Sequence, residues 1–233
     1  MTSSSPFDGH DWIDLSHTLE EGIPSWPTHA RFSSTLYESQ VLGDAATHHG
    51  LTISEHTGTH MDAPLHFVRE GPAHYGTDEI PLARLAGRAA TMDATNLSPD
   101  DLLGPDRIRA WEEEHGPIER GDRVLVRYGW DERWATGPEG RRFLEDWPGL
   151  SGEAAEYLVR KGVALVGCDT LAVDAAGSGE NPAHHALLGN EVYVVENLKN
   201  LYRLPPFCLF VAFPLKIKGG SGSPVRAVAL VPR

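Results

Sequence analysis

His56-Thr57-Gly58-Thr59-His60-Met61-Asp62-Ala63-Pro64-Leu65-His66 places three histidines and an aspartate within eleven residues. Imidazole and carboxylate are the ligand types that zinc, manganese and related divalent ions prefer. The spacing is H-x3-H-x-D-x3-H, which contains an i, i+4 pair, but Gly58, two β-branched threonines and Pro64 disfavour a helix. An extended chain fits better. All four residues share parity, so one strand would turn them to one side. Four residues of straight strand separate Cα atoms by about 13 Å, a long reach for two imidazoles meeting one ion. Gly58 lies between His56 and His60 and permits a bend there. The stretch therefore predicts a strand running into a Gly-bent loop, with Pro64 stiffening its exit.

Working outward, Trp12 to His17, residues 31–42 and residues 49–54 read as strands, with Gly43-Asp44 as a turn. Glu21 to Pro27 is a loop stiffened by two prolines that hold Trp26 between them. Trp26 either covers an edge of the core or forms an aromatic wall beside a ligand. Ser98-Pro99 predicts a short helix to Leu103, and a second is expected from Pro105 to His115. Trp130, Trp134 and Trp147 sit in a polar segment that reads as a surface excursion. Residues 151–160 form an amphipathic helix pattern ending at Gly162, followed by the buried strand Val163–Cys168. Asp169 stands at the carboxyl end of that strand, where α/β folds place functional groups; a cap or turn role is equally open. Phe207–Phe213 and Val225–Val231 are further strands, joined by a Gly/Ser-rich loop.

A second constellation lies far down the chain. His184 and His185 precede an apolar helical turn, and Glu196 ends an otherwise apolar strand. A buried acid without a partner costs several kcal/mol, so Glu196 sits either at a surface strand end or against a cation.

The 233 residues carry a formal net charge of −13 and are 40% hydrophobic. That apolar fraction supplies a core. The negative charge makes the chain a poor candidate for non-specific nucleic-acid binding. The two cysteines, Cys168 and Cys208, cannot build a Cys-rich zinc site and read as buried free thiols of a cytoplasmic protein. The N-terminus lacks a basic stretch followed by an apolar core, which predicts no signal peptide. No apolar run reaches the roughly 20 residues of a membrane span. Residues 1–10 are expected to be a disordered tail and 11–233 a single α/β domain with mixed β-sheets and flanking helices.

HTGTHMDAPLHF resembles the signature of the metal-dependent cyclase-family hydrolases, which include kynurenine formamidases and isatin hydrolases. The resemblance extends to the Trp-Pro near residue 26, to His184 and Glu196, and to the ending PLKIKGGSGSPVRAVAL. It implies a swivelling β/β/α fold, assembled as a homodimer or homotetramer. It implies that His56, His60, Asp62, His184 and Glu196 bind one or two ions, zinc or manganese, with Asp62 able to bridge. It also implies that His66 transfers protons, that Trp26 borders a small-molecule substrate, and that His185 is the doubtful neighbour. The activity it implies is hydrolysis of an amide bond on an aromatic substrate, either N-formyl-kynurenine or a lactam such as isatin. Polyketide-type ring closure at the same metal site, and metal holding without turnover, are the alternatives.

Overall fold

The computed structural model describes residues 7–233. Most of the expected N-terminal tail lies outside the described residues, and His10 already opens the first strand. The strands in chain order are β1 His10–Asp14, β2 Ser33–Glu38, β3 His48–Thr52, β4 His60–Asp62, β5 Ala86–Asp93, β6 Leu102–Leu103, β7 Arg123–Arg127, β8 Gly149–Leu150, β9 Leu165–Cys168, β10 Tyr193–Glu196, β11 Phe207–Val211, β12 Gly222–Pro224 and β13 Val228–Pro232. The helices are α1 Pro105–His115, α2 Gly152–Lys161 and α3 Pro182–Leu188.

One large sheet runs β1-β13-β11-β5-β7-β9-β10-β4-β12. Its centre, β5 through β10, is parallel, and both flanks are antiparallel. The central strands are buried on both faces, as parallel strands require. Val124, Val126, Val166 and Val194 pack into a core that includes Ile108 of α1, Leu158 of α2 and Leu187 of α3. Leu125, Leu165 and Val195 face a second core, made with Phe210 and Ala229 from the curled part of the same sheet. This is the β/β/α layering expected, with helices on one side and sheet folded against sheet on the other.

Local chemistry explains the helix ends. The Ser151 side chain accepts from the Ala154 N–H, and Gly162 closes α2 in the left-handed region at φ 74°. Asp169 takes the cap role: its two oxygens accept the N–H groups of Tyr128 and Gly129, each at 2.8 Å, and tie the end of β7 to β9.

Three expectations need correction. The short helix from Pro99 to Leu103 does not form. Asp101 accepts the Ser98 N–H, Asp100 adopts φ 61°, and Leu102–Leu103 instead pair with β8. The tryptophan segment is not a surface excursion, because Trp130 and Trp147 are buried and donate their indole N–H groups to Phe143 O and Asp174 O. Trp134 stacks on His17 with ring centroids 3.9 Å apart. Finally, the Gly/Ser-rich loop contains β12, which lines the far edge of β4.

The β2–β3 hairpin forms its own two-stranded sheet. It leaves Leu36, Tyr37 and Leu51 exposed, together with Val41 and Leu42 at its tip. Among the described residues no helix is long and apolar enough to cross a membrane, and both cysteines are buried and free.

Candidate metal centre

The sheet register assembles the site. β4 holds His60 and Asp62 on one face, two residues apart, and β10 runs antiparallel beside it with Glu196 opposite His60. Directly opposed side chains have Cβ atoms about 4.5–5.5 Å apart, so the acid at the end of the apolar strand is aimed at the imidazole. His184 enters from the first turn of α3. Its Nε2 lies 3.4 Å from Asp62 Oδ2 and 3.1 Å from Glu196 Oε1. His60 Nε2 lies 3.5 Å from Asp62 Oδ1 and 3.4 Å from Glu196 Oε2. All four residues are buried. Two segments far apart in sequence therefore converge as expected.

The protons on these rings follow from their other nitrogens. His60 Nδ1 donates to Gly58 O at 2.8 Å, because a carbonyl only accepts. His184 Nδ1 donates to Asp174 Oδ2 at 2.6 Å. In the neutral rings both Nε2 atoms then carry lone pairs, and those lone pairs face two carboxylates. Asp62 Oδ2 is buried without a hydrogen-bond partner. Acceptors facing acceptors in a buried space require positive charge between them. The ionisation of the groups expresses the same demand. Burial opposes protonation of His60, but Glu196 and Asp62 outweigh it and raise its pKa. Burial likewise opposes His184, and Asp174, Asp62 and Glu196 raise it well above its ordinary value. Burial works to raise Asp62, yet His56 and His184 hold it well below the usual carboxylate range. A two-imidazole, two-carboxylate set fits a divalent cation of the zinc or manganese kind.

His56 and His66 reach Asp62 differently. The expected bend at Gly58 forms, but the strand lies after it and is short: β4 spans only His60–Asp62. The chain bends at Gly58, with φ 63°, and Pro64–His66 is a turn of 3-10 helix. The bend returns the His56 ring to within 5.1 Å of His60, and the turn brings His66 to 4.1 Å from His56, centroid to centroid. Ligand atoms of His56, Asp62 and His66 lie within 4.8 Å of one another, as do those of His60, Asp62 and Glu196. Asp62 is thus common to two groups. His56 Nδ1 sits 2.8 Å from Asp62 Oδ1, and its Nε2 is 3.1 Å from the hydroxyl of Ser221. Ser221 in turn donates its hydroxyl and its N–H to Glu55. A Cβ on Gly222 would come 2.5 Å from His56 Cε1, so only glycine leaves room for this ring. Enclosure in the cavity lowers the His66 pKa, with Asp62 opposing and His56 adding, although the residue as a whole is exposed.

A cavity of about 240 Å³ opens over the cluster. Trp26, Phe67 and Leu171 form its apolar wall, and His29 and Asn181 add polar groups. Trp26 meets Trp147 edge-on at 6.3 Å. His185 is exposed and lies against the Phe67 ring at 5.0 Å, outside the ligand groups. Sequence reasoning missed Asp174, Ser221, His29 and Asn181. Asp174 and Ser221 act through partners remote in sequence, which leave no local pattern. Asn181 had one readable sign, Asn-Pro at a helix start.

Residues 13–175 match the cyclase family model, described as "Putative cyclase". The chain belongs to the cyclase family. An isatin hydrolase of Roseibium aggregatum is 37% identical over 197 residues, covering 78% of this chain and 74% of its own. A kynurenine formamidase of Bacillus cereus is 32% identical over 218 residues, covering 94% of this chain and 96% of its own. The solved isatin hydrolase A from Labrenzia aggregata, bound to benzyl benzoate, superposes with a TM-score of 0.88 at 33% identity, covering 97% of this chain and 95% of that one.

Proposed function

We propose that this cyclase-family hydrolase cleaves an amide bond attached to an aromatic ring, with N-formyl-kynurenine and isatin as the candidate substrates. The observation that carries the reading is the set of buried lone pairs on His60, His184, Asp62 and Glu196, beneath a cavity walled by aromatic and aliphatic groups. The two curated relatives carry the corresponding activities in their names. His60, Asp62, His184 and Glu196, with His56 beside Asp62, would hold one or two divalent cations, zinc or manganese. When bound, such a cation supplies an acidified water and an electrophilic pull on a carbonyl.

The chain's own residues do the rest. Trp26, Phe67 and Leu171 clasp the ring and exclude water from its faces. His66 Nδ1 or Nε2 takes the proton released by the attacking water and returns it to the leaving nitrogen as the C–N bond breaks. For a formamide the products are formate and an aryl amine; for a lactam the ring opens to an amino acid salt. Asp174 keeps the His184 ring turned toward the cluster.

The assembly we propose is a homodimer or homotetramer, supported by the exposed apolar residues of the β2–β3 hairpin, which as an isolated two-stranded unit is marginal in water. A cytoplasmic location is supported by the free thiols. The test is direct. Protein stripped with a chelator is assayed with N-formyl-kynurenine, isatin and an aromatic polyketone, before and after adding Zn²⁺ or Mn²⁺. The expected result is metal-dependent amide hydrolysis. Conversion of the polyketone alone would replace this reading with ring closure.

A further inference from the structure

The polar lining of the cavity divides in two. His56, His60, His66, His184 and Glu196 belong to the cluster around Asp62, whereas His29 and Asn181 do not; His29 lies beside the His56 ring at 5.7 Å, centroid to centroid, and Asn181 is the polar group set apart. Asn181 immediately precedes α3, at a position where asparagine ordinarily caps the helix. Here it makes no cap hydrogen bond, and its backbone is left-handed, at φ 46° and ψ 53°. The capping is done by Asp174 instead, whose oxygens accept the N–H groups of Ala183 at 2.8 Å and His184 at 3.1 Å. One carboxylate thus caps the helix and orients His184. The Asn181 amide is left free of those duties and stands in the cavity wall, three residues before His184. The Asn181 carbonyl accepts the His185 N–H at 3.1 Å, so its backbone serves the helix while its side chain serves the cavity.

We propose that Asn181 is a specificity residue, and that its amide N–H donates to a ketone oxygen ortho to the scissile amide on the substrate ring. The inference rests on the hydrolase reading above. N-formyl-kynurenine is an open formamide and isatin a fused lactam. They share a ketone on the aromatic carbon next to the one that bears the nitrogen. The cluster engages the amide carbonyl, and Trp26, Phe67 and Leu171 engage the ring. The ketone oxygen is the polar group the two substrates share beside the amide, and it needs a donor once water is excluded. Asn181 supplies one from the residue just before the helix that carries His184.

The test uses a pair of substrates that differ in this group: 2-formamidoacetophenone, which has the ketone, and formanilide, which lacks it. Asn181→Gly and Asn181→Asp both tolerate the left-handed backbone. The first removes the side chain; the second keeps its shape but loses both donors. Expected in each is an approximately tenfold fall in the preference for the ketone substrate, as the ratio of kcat/KM values, carried mainly by KM. Metal content should stay at the wild-type level. Equal fractional losses with both substrates would make Asn181 a structural residue and overturn the proposal. If the wild type hydrolyses neither compound, the hydrolase reading is what has failed. Calorimetric binding of 2-aminophenylglyoxylate then tests Asn181 separately. About tenfold weaker binding in both variants supports the proposal, and unchanged affinity, or no binding to the wild type, overturns it.

Discussion

His60, Asp62, His184 and Glu196 ride on β4, α3 and β10 and are buried, whereas His56 and His66 ride on turns at the cavity edge. The first set is positioned by ladder and helix hydrogen bonds, which move little. The second depends on a bend at Gly58, a 3-10 turn after Pro64 and the Ser221–Glu55 pair. The difference separates two jobs around one aspartate. On the proposed reading the rigid set would hold an ion, with His56 beside it at Asp62, and the exposed position of His66 suits moving a proton in and out.

The strongest test of this division removes a member of the rigid set. Glu196→Gln or His60→Ala should weaken cation affinity by more than about 100-fold, beyond the 10- to 100-fold usual for outer partners of a metal site. Turnover should fall to background, read by elemental analysis and steady-state kinetics on the same preparation. A full metal content in His60→Ala would break the comparison at its root.

His66→Ala should come next. We expect it to keep its metal and lose about 10²–10⁴-fold in kcat, the range for a lost general acid–base. Loss of metal in this variant would move His66 into the ion-holding set and merge the two groups.

The smallest of these effects belongs to Gly222→Ala. The new Cβ would press on the His56 ring, and His56 or β12 must shift. A misplacement of this kind is expected to lower kcat about 10- to 100-fold. Affinity for the cation should change less than in His60→Ala. Equal damage from the two substitutions would mean that His56 is as much a part of the ion seat as His60.

Part of this arrangement was legible in the chain. The shared parity of His60 and Asp62 gave their common face, and Glu196 at the end of an apolar strand signalled a buried partner. The parity argument failed for His56 and His66 because it assumes a continuous strand. Gly58 and Pro64, both noted as breakers, end the strand on either side of three residues. The short helix after Ser98 failed although Asp101 accepts the Ser98 N–H as it would at a helix start, because Asp100 turns left-handed and Leu102–Leu103 pair with β8, a partner remote in sequence. β12 was hidden because Gly222-Ser223-Pro224 has loop composition, yet its neighbours make it a strand. The burial of Trp130 and Trp147 rests on carbonyls of Phe143 and Asp174, acceptors no local pattern reveals.

The pairing of Glu196 with His60 joins segments separated by more than half the chain. Closing so long a loop is slow and is completed late in folding. Before that step His184 and Glu196 lie far along the chain from His60 and Asp62, so an unfolded chain lacks the complete four-residue seat. The free energy a cation would release on binding the full set therefore favours the native state, and it rises with the logarithm of free metal concentration. A cation held there would in this sense be a clasp on the finished sheet, fastening β4 to β10.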